Sequence, residues 1–450
     1  MTKLIARAID LRRLRTSTRL GMAFLIVLSL LMVGGVARSG TAAAPATSGL
    51  LCTTAAGTTP TFTLKAGSGM ITMPDGNIIL NWSYSLASGA FQFPGPYLCV
   101  NQGDTVTIVL NNTLPEPTSI MFPGLDGVTA NGAPVGPEFS GTTLTSLTNT
   151  AAATNGSVTY SFVATKPGTY LYESGTDVGK QVQMGLYGSI VVRPTGTPAC
   201  AYACAQSAFD PKTEYVMLLS EIDPALHHAV EFGQAYDVTT LHPRYWLING
   251  RAFPDTIAPN SVPWLPAQPY SSLVHITVTD ELVNPTQAPA LVRYLNAGSR
   301  NHPFHPHGQN GRVVARDAGP LVDPIGQDLS YETFSTTIGS GETWDQLYAF
   351  YDQEHFNPTT NPVPVTIPQL PNLTFKGGAT YFSGSPYLGS QGQLPVGTVS
   401  YNECGEFYMV WHSHALNEAA NYDTGFGGML TLQRIDPLPG RQATGTTCSQ

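Results

Sequence analysis

The residues best suited to chemistry are two His-x-His pairs, His305-Pro306-His307 and His412-Ser413-His414. Side chains two apart on a β-strand point to the same face, so each pair would present two imidazoles side by side. Imidazole suits zinc, copper, iron and nickel, and each pair reads as half of a metal centre. A lone His-x-His has a high false-positive rate, and the flanking sequence must support it. The remaining histidines offer less. His227 and His228 are adjacent and would face opposite ways on a strand, while His242, His275 and His355 stand alone, so these five read as surface or hydrogen-bonded core residues. Cys200 and Cys204 would make a poor zinc site, because no second Cys or His pair stands nearby to complete four ligands. No Gly-x-Ser-x-Gly, phosphate loop, dinucleotide fingerprint or His-Glu-x-x-His is present.

Strands are what must carry such pairs, and the sequence supplies them. The chain has 450 residues, enough for two or three domains with substantial cores. Only 11% of residues are charged, while 45 Gly and 36 Pro supply turns, a balance that predicts an all-β protein without long amphipathic helices. Segments such as Thr105-Val106-Thr107-Ile108-Val109-Leu110 and Ser157-Val158-Thr159-Tyr160-Ser161-Phe162-Val163 alternate as half-buried strands do. The pattern predicts a first domain over 60–195, a Pro/Gly/Cys/Ala-rich linker over 196–211, a second domain over 212–436 and a linker-like tail over 437–450. A Pro- and Asn-rich stretch, about 357–396, is too long for an ordinary connection and reads as a functional or covering loop. The halves echo each other, closing on Gly-Ser-Ile-Val-Val (188–192) and Gly-Met-Leu-Thr-Leu (428–432), which suggests an internal duplication.

The N-terminus reads as an export signal. Lys3, Arg7, Arg12, Arg13, Arg15 and Arg19 precede an apolar run over 20–37 and a small-residue stretch over 41–46. An uncleaved anchor is the rival reading, since the run is about the minimum length of a membrane span. Residues 1–46 are therefore expected to place the protein outside the cytoplasm, with membrane attachment only through that anchor. Arg12-Arg13 is a weak match to a twin-arginine signal. All six cysteines lie beyond this segment, which suits disulfides in an oxidising compartment. Fifteen pairings are open, and Cys200 and Cys204 could close a small local loop. A net charge of −9, with no basic run beyond the first twenty residues, gives no support to a nucleic-acid surface.

Several longer motifs resemble the multicopper oxidase (laccase-like) family. In the first domain these are Pro94-Gly95-Pro96, Val100-Asn101-Gln102-Gly103-Asp104-Thr105-Val106, Asn111-Asn112-Thr113-Leu114-Pro115, Asn131-Gly132-Ala133-Pro134, Lys166-Pro167-Gly168-Thr169-Tyr170 and Gln183-Met184-Gly185-Leu186-Tyr187-Gly188. In the second they are Leu247-Ile248-Asn249-Gly250-Arg251, Asn301-His302-Pro303-Phe304-His305-Pro306-His307-Gly308 and Trp411-His412-Ser413-His414. The resemblance implies two tandem cupredoxin-like Greek-key β-sandwiches, a three-copper cluster held by four His-x-His pairs, and a type 1 copper bound by His, Cys and His.

This sequence departs from that pattern at half of its ligands. The first pair, expected after Ile120, reads Met121-Phe122-Pro123, and the second, expected after Tyr172, reads Glu173-Ser174-Gly175. Ser413 stands where the type 1 cysteine belongs, Glu418 where its second histidine belongs, and Met429 comes later than the axial ligand should. A Cu–thiolate bond cannot form there, so blue copper is not expected. In that former type 1 site His302 and Glu418 are expected to form a charge-assisted hydrogen bond in place of a metal. If the strands lie as the resemblance implies, His305, His307, His412 and His414 converge on one ion, copper first, with zinc, iron or manganese as alternatives. Glu173 and Met121 could add ligands from the opposing domain.

Three functions remain open on sequence alone. One is a protein binding a single metal ion without laccase-type turnover. Another is an oxidoreductase completed by a partner chain, which cannot be an identical copy, since every copy lacks the first two pairs. The third is a metal-free extracellular binding or structural module, in which the histidines hydrogen-bond to each other and to water. A homo-oligomer is compatible with the first and third readings.

Overall fold

The alternating segments fold as strands, and their apolar positions face inward as the period of two requires. The computed structural model describes residues 48–282, 284–351, 373–374, 379–381, 392–393 and 407–436. The expected export segment 1–46, the tail 437–450, Cys404, Cys448, His355 and most of the stretch 357–396 lie outside the described residues. No helix among the described residues is long and apolar enough to cross a membrane.

The first sandwich sets a six-stranded sheet against a three-stranded one. In the larger sheet Thr61–Thr72 pairs antiparallel with Ile78–Leu86 and parallel with Thr105–Asn112, which in turn pairs antiparallel with Gly156–Val163. Val106, Ile108 and Leu110 from one strand and Val158, Tyr160 and Phe162 from its neighbour point into the core. Burying side chains of this size contributes about 1.5–3 kcal/mol each, before the entropy of ordering them is counted. The smaller sheet is Gly168–Glu173, Tyr187–Arg193 and Leu98–Asn101.

The second sandwich repeats the plan on a larger scale. One sheet runs through Gly311–Arg316, Thr343–Tyr348, Ala290–Asn296, Glu214–Ile222 and Tyr245–Ile248. The facing sheet has the order Thr336–Ile338, His302–Pro306, Phe407–Ser413, Leu430–Asp436, Val274–Thr279 and Phe350–Tyr351. Both His-x-His segments therefore sit on neighbouring central strands of one sheet, where strand pairing on either side holds them in place.

The two sandwiches share a buried seam in which Phe93, Tyr97, Leu171 and Tyr187 of the first pack with Val216, Leu218, Leu247 and Leu295 of the second. Within it Arg293, fully buried, donates to Glu214 at 2.8 Å and to Thr169 at 3.0 Å, and Thr169 donates to Asp345 at 2.7 Å. The connection 196–211 is anchored by burial of Ala201, Tyr202 and Phe209, and the Tyr202 hydroxyl donates to Asp345 at 2.6 Å. Cys200 and Cys204 form the small local disulfide, and Cys52 pairs with Cys99. His227 and His228 lie on a short helix, Pro224–Glu231, started by Asp223, whose carboxylate accepts from the Ala225 amide at 2.8 Å. His227 is buried between the carbonyls of Leu80 and Gln183 at 2.6 and 3.1 Å, an ordinary core role.

Candidate metal centre

Register decides whether two His-x-His pairs can meet. Strand His302–Pro306 runs antiparallel to Phe407–Ser413 with Phe304 opposite Ser413, His305 opposite His412 and Pro306 opposite Trp411. Phe304 and Trp411 point into the core, so His305 and His412 both point outward, and a slip of one residue would have sent them to opposite faces. The pairing continues past the strand ends, where the His307 amide donates to Val410 at 2.9 Å and the His414 amide to Pro303 at 2.7 Å. All four imidazoles thus lie on one face. Their ring centres stand 4.9 Å apart for His305 and His307, 5.1 Å for His307 and His412, and 5.5 Å for both His305–His414 and His412–His414.

Hydrogen bonds fix which nitrogens are available. His305 donates Nδ1–H to the Phe334 carbonyl at 2.5 Å and His412 donates Nδ1–H to the Ser413 carbonyl at 2.7 Å, tautomers assigned from those acceptors. Each then keeps Nε2 as a lone-pair donor, the arrangement in which metal-ligating histidines are held by a carbonyl behind them. With His412 in that tautomer, His307 donates Nε2–H to His412 Nε2 at 3.1 Å, a histidine–histidine hydrogen bond whose length is also close to the separation of two nitrogens bound at about 2.0–2.1 Å to one ion. Burial and then the neighbouring imidazoles lower the pKa of His307; His412 is lowered by the same causes, against a raising contribution from the Ser413 carbonyl. Both are therefore biased toward the neutral, ligating form. His307 and His414 are exposed, whereas His305 and His412 are half-buried. As they stand the donors approach pairwise, and no three His, Cys, Asp or Glu groups among the described residues are drawn onto a single point.

Met121 and Glu173 are brought to each other. Their backbones exchange two hydrogen bonds, Met121 N to Glu173 O at 2.7 Å and Glu173 N to Met121 O at 3.1 Å. The Met121 side chain lies against Gly175, where an added Cβ would come within 2.7 Å of its Cγ. Burial pushes the Glu173 carboxyl up to about 7. Neither side chain has a hydrogen bond or ion pair to the four imidazoles among the described residues.

The former type 1 position holds a salt-bridged cluster. His302 is fully buried and donates Nδ1–H to Glu418 Oε2 at 2.9 Å, the contact expected from sequence. The Ser413 hydroxyl donates to the same oxygen. On its other side His302 Nε2 faces Glu221 Oε2 at 3.4 Å, and Glu221 Oε1 accepts from the Ser299 amide at 2.6 Å and hydroxyl at 2.7 Å. Burial opposes a charge on His302, but the flanking carboxyls of Glu221, at ion-pair distance, and Glu418, hydrogen-bonded, outweigh it and push the pKa up to about 9. An imidazolium between two carboxylates therefore fills the place. Gly298 makes room for it, since a Cβ there would meet Glu221 Oε2 at 1.9 Å. Glu221 escaped the sequence reading. Its signal was a carboxylate in the otherwise apolar run Tyr215–Ile222, where a buried charge requires a partner.

Comparison with known proteins agrees with the architecture. Residues 88–197 match the multicopper oxidase family model. The L-ascorbate oxidase of Cucumis sativus is 35% identical over 103 residues, and the laccase abr2 of Aspergillus fumigatus 34% over 103 residues. Each match covers 23% of this chain and 16% of the relative, so the likeness spans about a sixth of those proteins. Among solved structures, the blue copper oxidase from Nitrosomonas europaea superimposes with a TM-score of 0.52 at 17% identity, covering 84% of this chain and 85% of that one. A multicopper oxidase, mgLAC, gives 0.53 at 17% identity over 84% and 86%. The sequence match is thus confined to residues 88–197, which resemble the multicopper oxidase family model, while the solved neighbours show that the chain shares their fold.

Proposed function

We propose that this protein binds a single copper ion at His305, His307, His412 and His414, without a type 1 blue copper, and that it works outside the cytoplasm. The observation that carries the reading is the paired tautomer control: carbonyls behind His305 and His412 turn both Nε2 lone pairs toward one face, where His412 Nε2 accepts from His307 Nε2 and a metal ion could take the place of that proton. An all-imidazole donor set suits Cu(II), which heads the affinity order of the divalent first-row metals. The family implies copper as well. The bound ion would supply Lewis acidity or one-electron redox chemistry, while the chain orients the imidazoles and biases His307 and His412 toward the neutral form. Ser413 and the His302–Glu221–Glu418 cluster support a protein without blue copper, because no thiolate is present there. The two disulfides support an oxidising compartment.

Metal analysis and EPR of protein purified from its export route test this. Near one equivalent of copper with a nitrogen-rich, non-blue spectrum is expected, and metal-free protein that takes up no added Cu(II) would sink the reading. A second reading, a heteromeric partner that supplies further ligands and completes an oxidoreductase, is favoured by one observation, the exposure of His307 and His414. Pull-down of a second chain together with oxygen consumption would support it, and recovery of this chain alone without oxygen consumption would count against it.

A further inference from the structure

Beside the buried His302–Glu418 pair lies a cavity of about 390 Å³ whose walls include His242, Trp246, Arg300, Asn301, Asn417 and Glu418. Three separate segments build it: the chain entering strand Tyr245–Ile248, the turn before strand His302–Pro306, and the 3-10 turn Leu416–Glu418. Its volume falls in the range of small-ligand sites.

Several polar atoms here have no protein partner. Arg300 is exposed and is the one arginine among the described residues whose guanidinium has no acceptor; the others all have carboxylate or carbonyl partners. Glu418 is buried and engages Ser413 and His302 through Oε2, which leaves Oε1 without a protein partner, and the residue lines the cavity. Asn301 accepts from the Ser340 amide at 3.2 Å through Oδ1, which leaves its NH2 free, and the Asn417 side chain has no protein partner. A guanidinium fork favours a carboxylate or a phosphate. A carboxylate oxygen and two amides favour hydroxyls. A flat aromatic acid would satisfy Arg300 but strand the other polar groups, at a cost of about 1–3 kcal/mol for each one left unpaired.

We propose that this cavity binds an acidic monosaccharide, a hexuronate, with its carboxylate on Arg300, its hydroxyls on Glu418, Asn301 and Asn417, and its ring against Trp246. The site is separate from the four outward histidines, so it stands or falls independently of metal binding.

Calorimetric titration of the full chain with D-glucuronate, in the presence of a chelator, tests it, with D-glucose, benzoate and inorganic phosphate as comparators. Glucuronate is expected to bind in the millimolar range, with glucose, benzoate and phosphate each at least about tenfold weaker, since a charge-assisted contact is worth about 1.5–3 kcal/mol. Arg300→Gln, at an exposed position, should weaken glucuronate by at least about tenfold, and Asn417→Ala by about threefold. The joint variant His305→Ala/His412→Ala should leave glucuronate binding unchanged. The proposal is overturned by no glucuronate binding at millimolar concentration, by an unaltered affinity in Arg300→Gln, or by benzoate or phosphate matching glucuronate.

Discussion

The first sandwich holds the stretch that matches the multicopper oxidase family model but none of the four candidate imidazole ligands, whereas the second holds all four outside that stretch. The family match covers 88–197, with Met121 and Glu173 at positions where the resemblance implies histidines, and all four candidate ligands lie beyond it. The two regions are held by different physics. In the first, Val106, Ile108, Leu110, Val158, Tyr160 and Phe162 fill a core that tolerates little change in volume. In the second, the outward face of one sheet carries the imidazoles while its inward face, with Phe304 and Trp411, packs the core. Scaffold and site are thus separable even within one chain, and likeness to a family is loudest where packing, not catalysis, constrains the residues.

The largest effect should come from the second sandwich. Replacing His305 and His412 together is expected to abolish copper binding, read by equilibrium dialysis, and retention of a full equivalent would place the ion elsewhere. Next, His302→Ala leaves Glu221 and Glu418 buried face to face without their cation. Breaking a buried pair in this way costs about 3–5 kcal/mol, measurable as a lower urea midpoint, and an unchanged midpoint would mean that the cluster contributes nothing.

The same cluster gives a pH dependence with a definite sign. The folded-state pKa of His302 is raised from 6.5 to about 9, so its contribution is fully present below about 6.5 and is lost as pH rises through about 9. The loss should be on the order of 3 kcal/mol, since each pKa unit is worth about 1.4 kcal/mol. Urea unfolding of the wild type at pH 6.5 and 9.5 should show it, and a His302→Phe variant should lose most of that change, keeping the smaller one that comes from groups such as Glu173, raised to about 7. The smallest effects belong to the first sandwich: Met121→Leu and Glu173→Gln are expected to change copper affinity by less than about threefold, about 0.6 kcal/mol. A hundredfold loss from either would return that sandwich to the metal site.

Much of this was legible before folding. The alternation of apolar residues predicted strands, and the spacing of two placed His305 beside His307 and His412 beside His414. Ser413, standing where the resemblance implies the type 1 cysteine, argued against blue copper, and His302 with Glu418 read as a hydrogen-bonded pair, the contact the structure holds. The third member of that cluster was not legible as such, because Glu221 lies 81 positions before His302 and only the packing of two facing sheets brings them to 3.4 Å. The cavity beside it draws on three segments far apart in sequence.

What the sequence determined by itself was local: which residues alternate, which side chains share a face within one strand, and which ligand types are missing. A period of two follows from backbone geometry and needs no partner. What only the tertiary structure decided was non-local: that His305 stands opposite His412, that carbonyls of Phe334 and Ser413 set their tautomers, and that two glutamates enclose His302. Register and burial are set by contacts between distant strands, and no window along the chain contains both sides of such a contact.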